Sequence, residues 1–128
     1  MTRNTLQRAG DILEFTVAAG VTIHQGELAL LAAGLATNVP GAAAIPIGRA
    51  ERTVTAGPAG SEPVVVPVRR GIFRWDNAAA NPVTQAHVGG PCYAKDARTV
   101  TAAAGGSTAL TVVAVDAGGV WAFGPFGF

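Results

Sequence analysis

The sequence predicts an all-β domain, and three observations carry the prediction. Short Val-, Ile- and Thr-rich runs recur along the chain, broken by Gly and Pro roughly every 8 to 12 residues, the spacing of a β-sandwich or barrel. Gly and Pro together hold 25 of the 128 positions (17 Gly, 8 Pro), which repeatedly interrupts any long helix. Ala is the commonest residue, yet no window keeps an apolar i, i+3, i+4, i+7 stripe for three turns. A chain of 128 residues has room for one compact domain.

Taken in order, residues 1–10 are polar, lack a strand pattern and read as an extended N-terminal arm. Residues 11–18 alternate, with Leu13, Phe15 and Val17 on one face and Glu14 and Thr16 on the other. Residues 28–48 run 21 positions without a charge, long enough to span a bilayer. Gly34, Asn38, Pro40, Gly41, Pro46 and Gly48 would break such a helix, so strands at 28–32, 35–39 and 44–49 are expected instead. Val39-Pro40-Gly41 suits a type II turn, with Gly41 at positive φ. A strand at 52–56 follows. Residues 64–69 contain Pro67 and follow Pro63, and each Pro lacks a ladder donor. That strand is expected at a sheet edge or imperfectly docked.

Strands at 72–75, 92–95, 99–102, 109–115 and 120–123 complete the set. Between the first two lies an exposed loop at 77–82, where Asn77 could cap a one-turn helix. Asp116-Ala117-Gly118-Gly119 joins the last two strands as a hairpin. Residues 52–56 and 98–102 both read Arg-Thr-Val-Thr-Ala, each followed by a Gly/Ser-containing turn and another strand. A duplication and two independent uses of one hairpin solution explain this equally. Residues 109–115 are apolar on both faces and are expected to be covered on both. Four of the chain's eight aromatics, Trp121, Phe123, Phe126 and Phe128, fall in the last eight residues. That tail either closes the chain's own core or docks on another subunit. The organisation is an arm (1–10), one β-barrel-like domain (11–123) and an aromatic tail (124–128).

The chemistry-bearing residues form no constellation. Net charge is +1, from eight Arg and one Lys against eight acids, too little field to grip nucleic acid or an anionic membrane. The single Cys, Cys92, excludes an internal disulfide and a multi-thiolate metal site. Asp11 and Glu14 interrupt the only early apolar stretch, so no secretory signal is read. His24 and His87 lack partners at metal-ligand spacing, and Gly89-Gly90-Pro91 turns the chain between His87 and Cys92. A surface His and a buried, inert Cys are expected. Lys95 belongs to no phosphate loop, and Gly105-Gly106-Ser107 is not a nucleophile elbow. Asp11, Glu14 and Glu27 read as solvated acids. No catalytic, cofactor or metal site is therefore expected, and a structural or interaction protein fits better than an enzyme.

The densest basic segment is Val68-Arg69-Arg70-Gly71-Ile72-Phe73-Arg74-Trp75. With no second basic cluster to extend it, a charged seam against an acidic partner surface, or plain solvated strand edges, is expected over a nucleic-acid platform. The candidate interface residues are Arg3 and Arg8 in the arm, Arg69, Arg70, Arg74 and Trp75 in this segment, and Trp121, Phe123, Phe126 and Phe128 at the end.

Gly10-Asp11-Ile12 followed by Val21-Thr-Ile-His-Gln-Gly26-Glu-Leu-Ala-Leu resembles the opening of small capsid cement (head decoration) proteins of tailed phages and prophages. The likeness continues through Ile47-Gly48-Arg49-Ala50 and the Val66–Asn77 stretch, then Ala86–Asp96, Thr99–Ala102 and Val113–Trp121. It covers nearly the whole chain from Gly10 to Phe123; the Pro-rich 57–67 region and the Phe-rich tail depart from the family pattern. The resemblance implies a small β-barrel or β-tulip-like domain of about 8–11 short strands. It also implies a homotrimer or homodimer on the virion exterior, made in the host cytoplasm, that bridges neighbouring copies of the major capsid protein. No nucleic acid or membrane is implied as partner. The alternative is a small ligand- or carbohydrate-binding β-barrel module, with Trp75, Trp121 and Tyr93 on one open face.

Overall fold

A computed structural model describes residues 12–125. They form twelve short strands: β1 (Ile12–Thr16), β2 (Thr22–Ile23), β3 (Leu28–Ala32), β4 (Leu35–Thr37), β5 (Ile45–Ala50), β6 (Val54–Thr55), β7 (Val65–Arg69), β8 (Phe73–Asn77), β9 (Pro91–Ala94), β10 (Thr99–Thr101), β11 (Leu110–Asp116) and β12 (Gly119–Phe123). A single 3-10 turn, η1 (Gln85–His87), lies between β8 and β9. The fold is all-β. Each of the eleven strands expected from sequence has a counterpart, and β2 is the addition. Among the described residues no helix is long and apolar enough to cross a membrane. The N-terminal arm and Phe126–Phe128 lie outside the described residues.

Strands β10, β8, β12, β11 and β9 close into a barrel. A second, five-stranded antiparallel sheet runs β1-β7-β5-β3-β4. It curls until its edges meet: Val17, just past β1, bridges Ala36 in β4, and the Ala18 amide donates to the Ala36 carbonyl at 2.9 Å. This isolated bridge ties the two edges together at one point. The β2–β6 ribbon packs beside it, with Thr22 opposite Thr55.

Two hydrophobic cores result, and β3 is their common wall. Period-2 alternation sends Leu28 and Leu30 into the barrel core with Trp75, Val83, Cys92 and Leu110. The intervening Ala29 joins Val17, Ile23, Ile47, Val66 and Val68 in the sheet core. A strand buried on both faces has no place for a charge, which accounts for the uncharged run beginning at Leu28. The halves are also tied by the Leu28 amide to the Ala97 carbonyl (2.7 Å) and the Thr108 amide to the Ala44 carbonyl (2.8 Å).

Several expectations are corrected. Strand β7 is not an edge strand: it lies between β1 and β5. Its docking to β5 is nevertheless short, confined to Arg49–Arg69 and Ala50–Val68. Gly41 does not take positive φ; instead its carbonyl accepts from the Ala44 amide at 2.8 Å. The left-handed pair is Ala33 (φ 51°) and Gly34 (φ 81°), which join β3 to β4 as a two-residue loop between Ala32 and Leu35. Asn77 caps no helix. It ends β8, and its side chain clasps Val83 through two 2.8 Å bonds, Nδ2 to the carbonyl and Oδ1 from the amide. The two Arg-Thr-Val-Thr-Ala segments form no hairpin with the strand that follows: β6 pairs with β2, while β10 pairs with β8 and β9. In β11, Leu110 and Val112 are buried, but a bulge follows and leaves Val113 and Ala114 exposed, so this chain alone does not cover both faces.

Candidate functional site

The basic segment and Trp121 meet where the barrel adjoins the sheet. On the sheet side, Arg49 and Arg69 face each other in register, and Glu51 sits two residues beyond Arg49. The Glu51 carboxylate accepts from Arg69 Nε and, at 3.3 Å, from Arg49 Nη2. Burial raises the Glu51 pKa, but the hydrogen bonds and charges of Arg69 and Arg49 outweigh it and hold the carboxyl below its usual range. The Arg49 guanidinium lies over the Phe73 ring, 4.5 Å from its centroid.

On the barrel side, β8 and β12 place Arg74 opposite Trp121. The Arg74 guanidinium is 5.9 Å from the Trp121 ring centroid. The indole Nε1 donates to Asp116 Oδ2 at 2.9 Å, while Asp116 Oδ1 accepts from the Gly118 and Gly119 amides at 2.8 and 3.1 Å. The Trp121 bond, followed by the turn amides, holds the Asp116 carboxyl below its ordinary value. The hairpin expected at 116–119 is thus formed and locked by its own aspartate. A Cβ at Gly118 would stand 2.5 Å from Arg74 Nη1 and displace that guanidinium, whereas a Cβ at Gly119 would meet the Trp75 backbone carbonyl at 2.3 Å.

Between these walls is a cleft of ≈ 380 Å³ lined by Gly26, Arg49, Phe73, Arg74, Trp75 and Trp121. A second, of ≈ 500 Å³ along Gln25, Ala50 and Glu51, shares Gly26 and Arg49 with it. A larger opening of ≈ 590 Å³ includes Asp76, Lys95, Asp96 and Asp116. Among the described residues no three His, Cys, Asp or Glu side chains are grouped to hold a metal ion.

The candidate residues divide. Arg69, Arg74 and Trp121 belong to this surface, and Arg70 follows Arg69 at the end of β7. Phe123 is half-buried on β12, opposite Thr111. Trp75 is corrected from an interface residue to a core residue: it is 5% exposed, edge-to-face with Phe73 at 6.1 Å, with Nε1 fully buried. Arg3, Arg8, Phe126 and Phe128 lie outside the described residues. Sequence reasoning missed Arg49, Glu51 and Asp116. For Asp116 a signal existed, since a tight hairpin turn brings the strand beyond it back alongside. For Arg49 and Glu51 there was none, because their partners come from β7 and β8.

Other readings also change. Glu27 is not solvated: it is buried, accepts from the His24 amide (2.8 Å) and Asn38 Nδ2 (3.0 Å), and pairs with Arg98 at 3.8 Å. His87, expected on the surface, is half-buried, with Nδ1 accepting from the Thr84 amide at 2.9 Å, and His24 is exposed. Cys92 is buried. The three rings of the carbohydrate alternative do not form one open face, because Trp75 is buried in the core. Comparison with protein-family models, curated proteins and solved structures finds no match to this chain.

Proposed function

We propose that this protein is a structural decoration protein. It binds the outside of an assembled phage-type shell as a homotrimer or homodimer and bridges neighbouring major shell subunits. The carrying observation is the surface: large apolar side chains stand outward on a chain whose charged content is only 13%. Val39 is 64% exposed, and Ile12, Leu35 and Val113 each about 40%. Outward apolar side chains on so lightly charged a chain support an interaction role, the one that contiguous apolar patches serve. The resemblance of residues 10–123 to capsid cement proteins supplies the partner. Such a protein stabilises its shell by linkage, because contacts made only with the assembled lattice lower the free energy of that lattice alone. Many identical contacts on one shell then add through multivalency.

The test is co-sedimentation of purified protein with expanded, DNA-free shells, together with its mass in solution. Saturable binding by an oligomer is expected. A monomer with no affinity for shells would overturn the proposal.

A further inference from the structure

We infer that the cleft between Arg49 and Arg74 is a docking site for a carboxylate-bearing peptide segment of the shell partner. The inference rests on the decoration reading for the partner's identity alone; the chemistry comes from the cleft. Both of its walls carry a guanidinium backed by an aromatic ring, Arg49 on Phe73 and Arg74 on Trp121. Ring contact restrains the flexible side chain yet leaves the fork of donors free to meet a planar acceptor, the geometry that carboxylates satisfy best.

The acids already present do not consume these donors. Glu51 is engaged chiefly by Arg69, and its contacts with Arg49 are long, at 3.3 and 3.4 Å. Both oxygens of Asp116 are taken, one by two turn amides and the other by the Trp121 indole. Among the described residues Arg74 has no hydrogen-bonded acceptor and no ion pair within 4.0 Å, and its charge reaches Asp116 only at longer range, helping to lower that carboxyl's pKa. Three guanidiniums therefore face two occupied carboxylates, Arg49, Arg69 and Arg74 against Glu51 and Asp116, on a chain of net charge only +1.

The size also fits: ≈ 380 Å³ accommodates one or two side chains with their backbone. Nucleic acid would need a longer basic track than two arginines supply.

The chain contains two tryptophans, so nitrogen-15 spectra of the full-length protein carry two indole N–H signals, Trp75 and Trp121. The probe is a blocked Gly-Glu-Ala-Glu-Gly peptide, and its Gln-for-Glu counterpart is the control. Both indole signals are expected to move and saturate with the Glu peptide only. The double variant Arg49→Gln/Arg74→Gln is expected to weaken binding about tenfold or more. Gly118→Ala keeps both arginines but pushes Arg74 off its seat, and it too is expected to weaken binding, so one misfolded variant does not decide the matter.

Equal shifts with the Gln peptide, or none with either, would overturn the inference. So would saturation by sodium acetate at the same carboxylate concentration, or tighter binding of a short oligothymidylate. Shell co-sedimentation separates the two proposals. Peptide binding without shell binding removes the decoration reading and leaves the cleft. Shell binding unchanged in the double variant, with no peptide effect, removes the cleft and leaves decoration.

Discussion

Cys92 lies in the barrel core without exposed surface, and burial pushes its thiol from 9.0 up to about 12. Thiolate is the reactive form, so native protein at pH 8 should ignore an aromatic disulfide reagent and react only as fast as it unfolds. Rapid stoichiometric labelling in buffer would contradict this burial. The same shift gives an alkaline limit. A folded-state pKa above the unfolded one means the contribution is whole below pH 9 and declines as pH rises toward 12, by at most about 1.4 kcal/mol per unit. The acidic side has the opposite sign. Glu51 and Asp116 titrate lower in the folded chain, so their contributions are present at neutral pH and lost as pH falls through their folded values. Asp116→Asn should therefore flatten the acid limb of a melting-temperature profile, and shift the Trp121 indole signal, because the amide presents a donor where the indole needs an acceptor. An unchanged acid limb and indole signal would remove Asp116 from this role.

Among the elements, the β3–β4 hairpin carries the clearest local conflict. Both residues of its two-residue loop have positive φ, Ala33 at 51° and Gly34 at 81°, the type I′ arrangement that matches strand twist. Alanine resists that region because its Cβ approaches a carbonyl, whereas asparagine tolerates it. Ala33→Asn, giving Asn-Gly at an exposed turn, should stabilise the protein by about 0.5–1 kcal/mol, read as a raised urea midpoint at unchanged slope. A lowered midpoint would show that the loop is held by something other than its own backbone preference. The same elements show what the chain's pattern makes legible. Strand positions are, because alternation and Gly/Pro punctuation are local. Strand neighbours are not: Pro67 reads as an edge residue, yet β7 is internal because β1 and β5 flank it. Within the candidate surface, Arg69, Arg74 and Trp121 stand out as a basic and aromatic cluster. Trp75 misleads in that company, although strand parity sends neighbours Arg74 and Trp75 to opposite faces. Arg49 and Glu51 are invisible beforehand because only the β5–β7 register brings Glu51 to Arg69.

At the scale of the molecule, two small cores share one strand, and neither half is built to stand alone. The barrel core takes Leu28 and Leu30 from β3, a strand that is hydrogen-bonded within the other sheet. The sheet core takes Ala29 from between them. Losing either half would expose one face of β3 and strip the Leu28–Ala97 and Ala44–Thr108 backbone bonds, besides leaving Glu27 without Arg98. Cooperative unfolding as one unit follows, as in most chains of this size. Leu30→Ala tests it, because Leu30 is fully buried and truncation should cost about 2–5 kcal/mol, a large share of the stability of such a domain. The measurement is native-state amide exchange, comparing slow barrel amides such as those of Val112 and Val120 with slow sheet amides such as those of Ile47 and Val66. If the halves are one cooperative unit, both sets lose protection by the same free energy, though the truncated side chain touches only the barrel core. Loss of protection in the barrel with the sheet unchanged would mean two independently folding halves, and would place the cleft between Arg49 and Arg74 across a hinge.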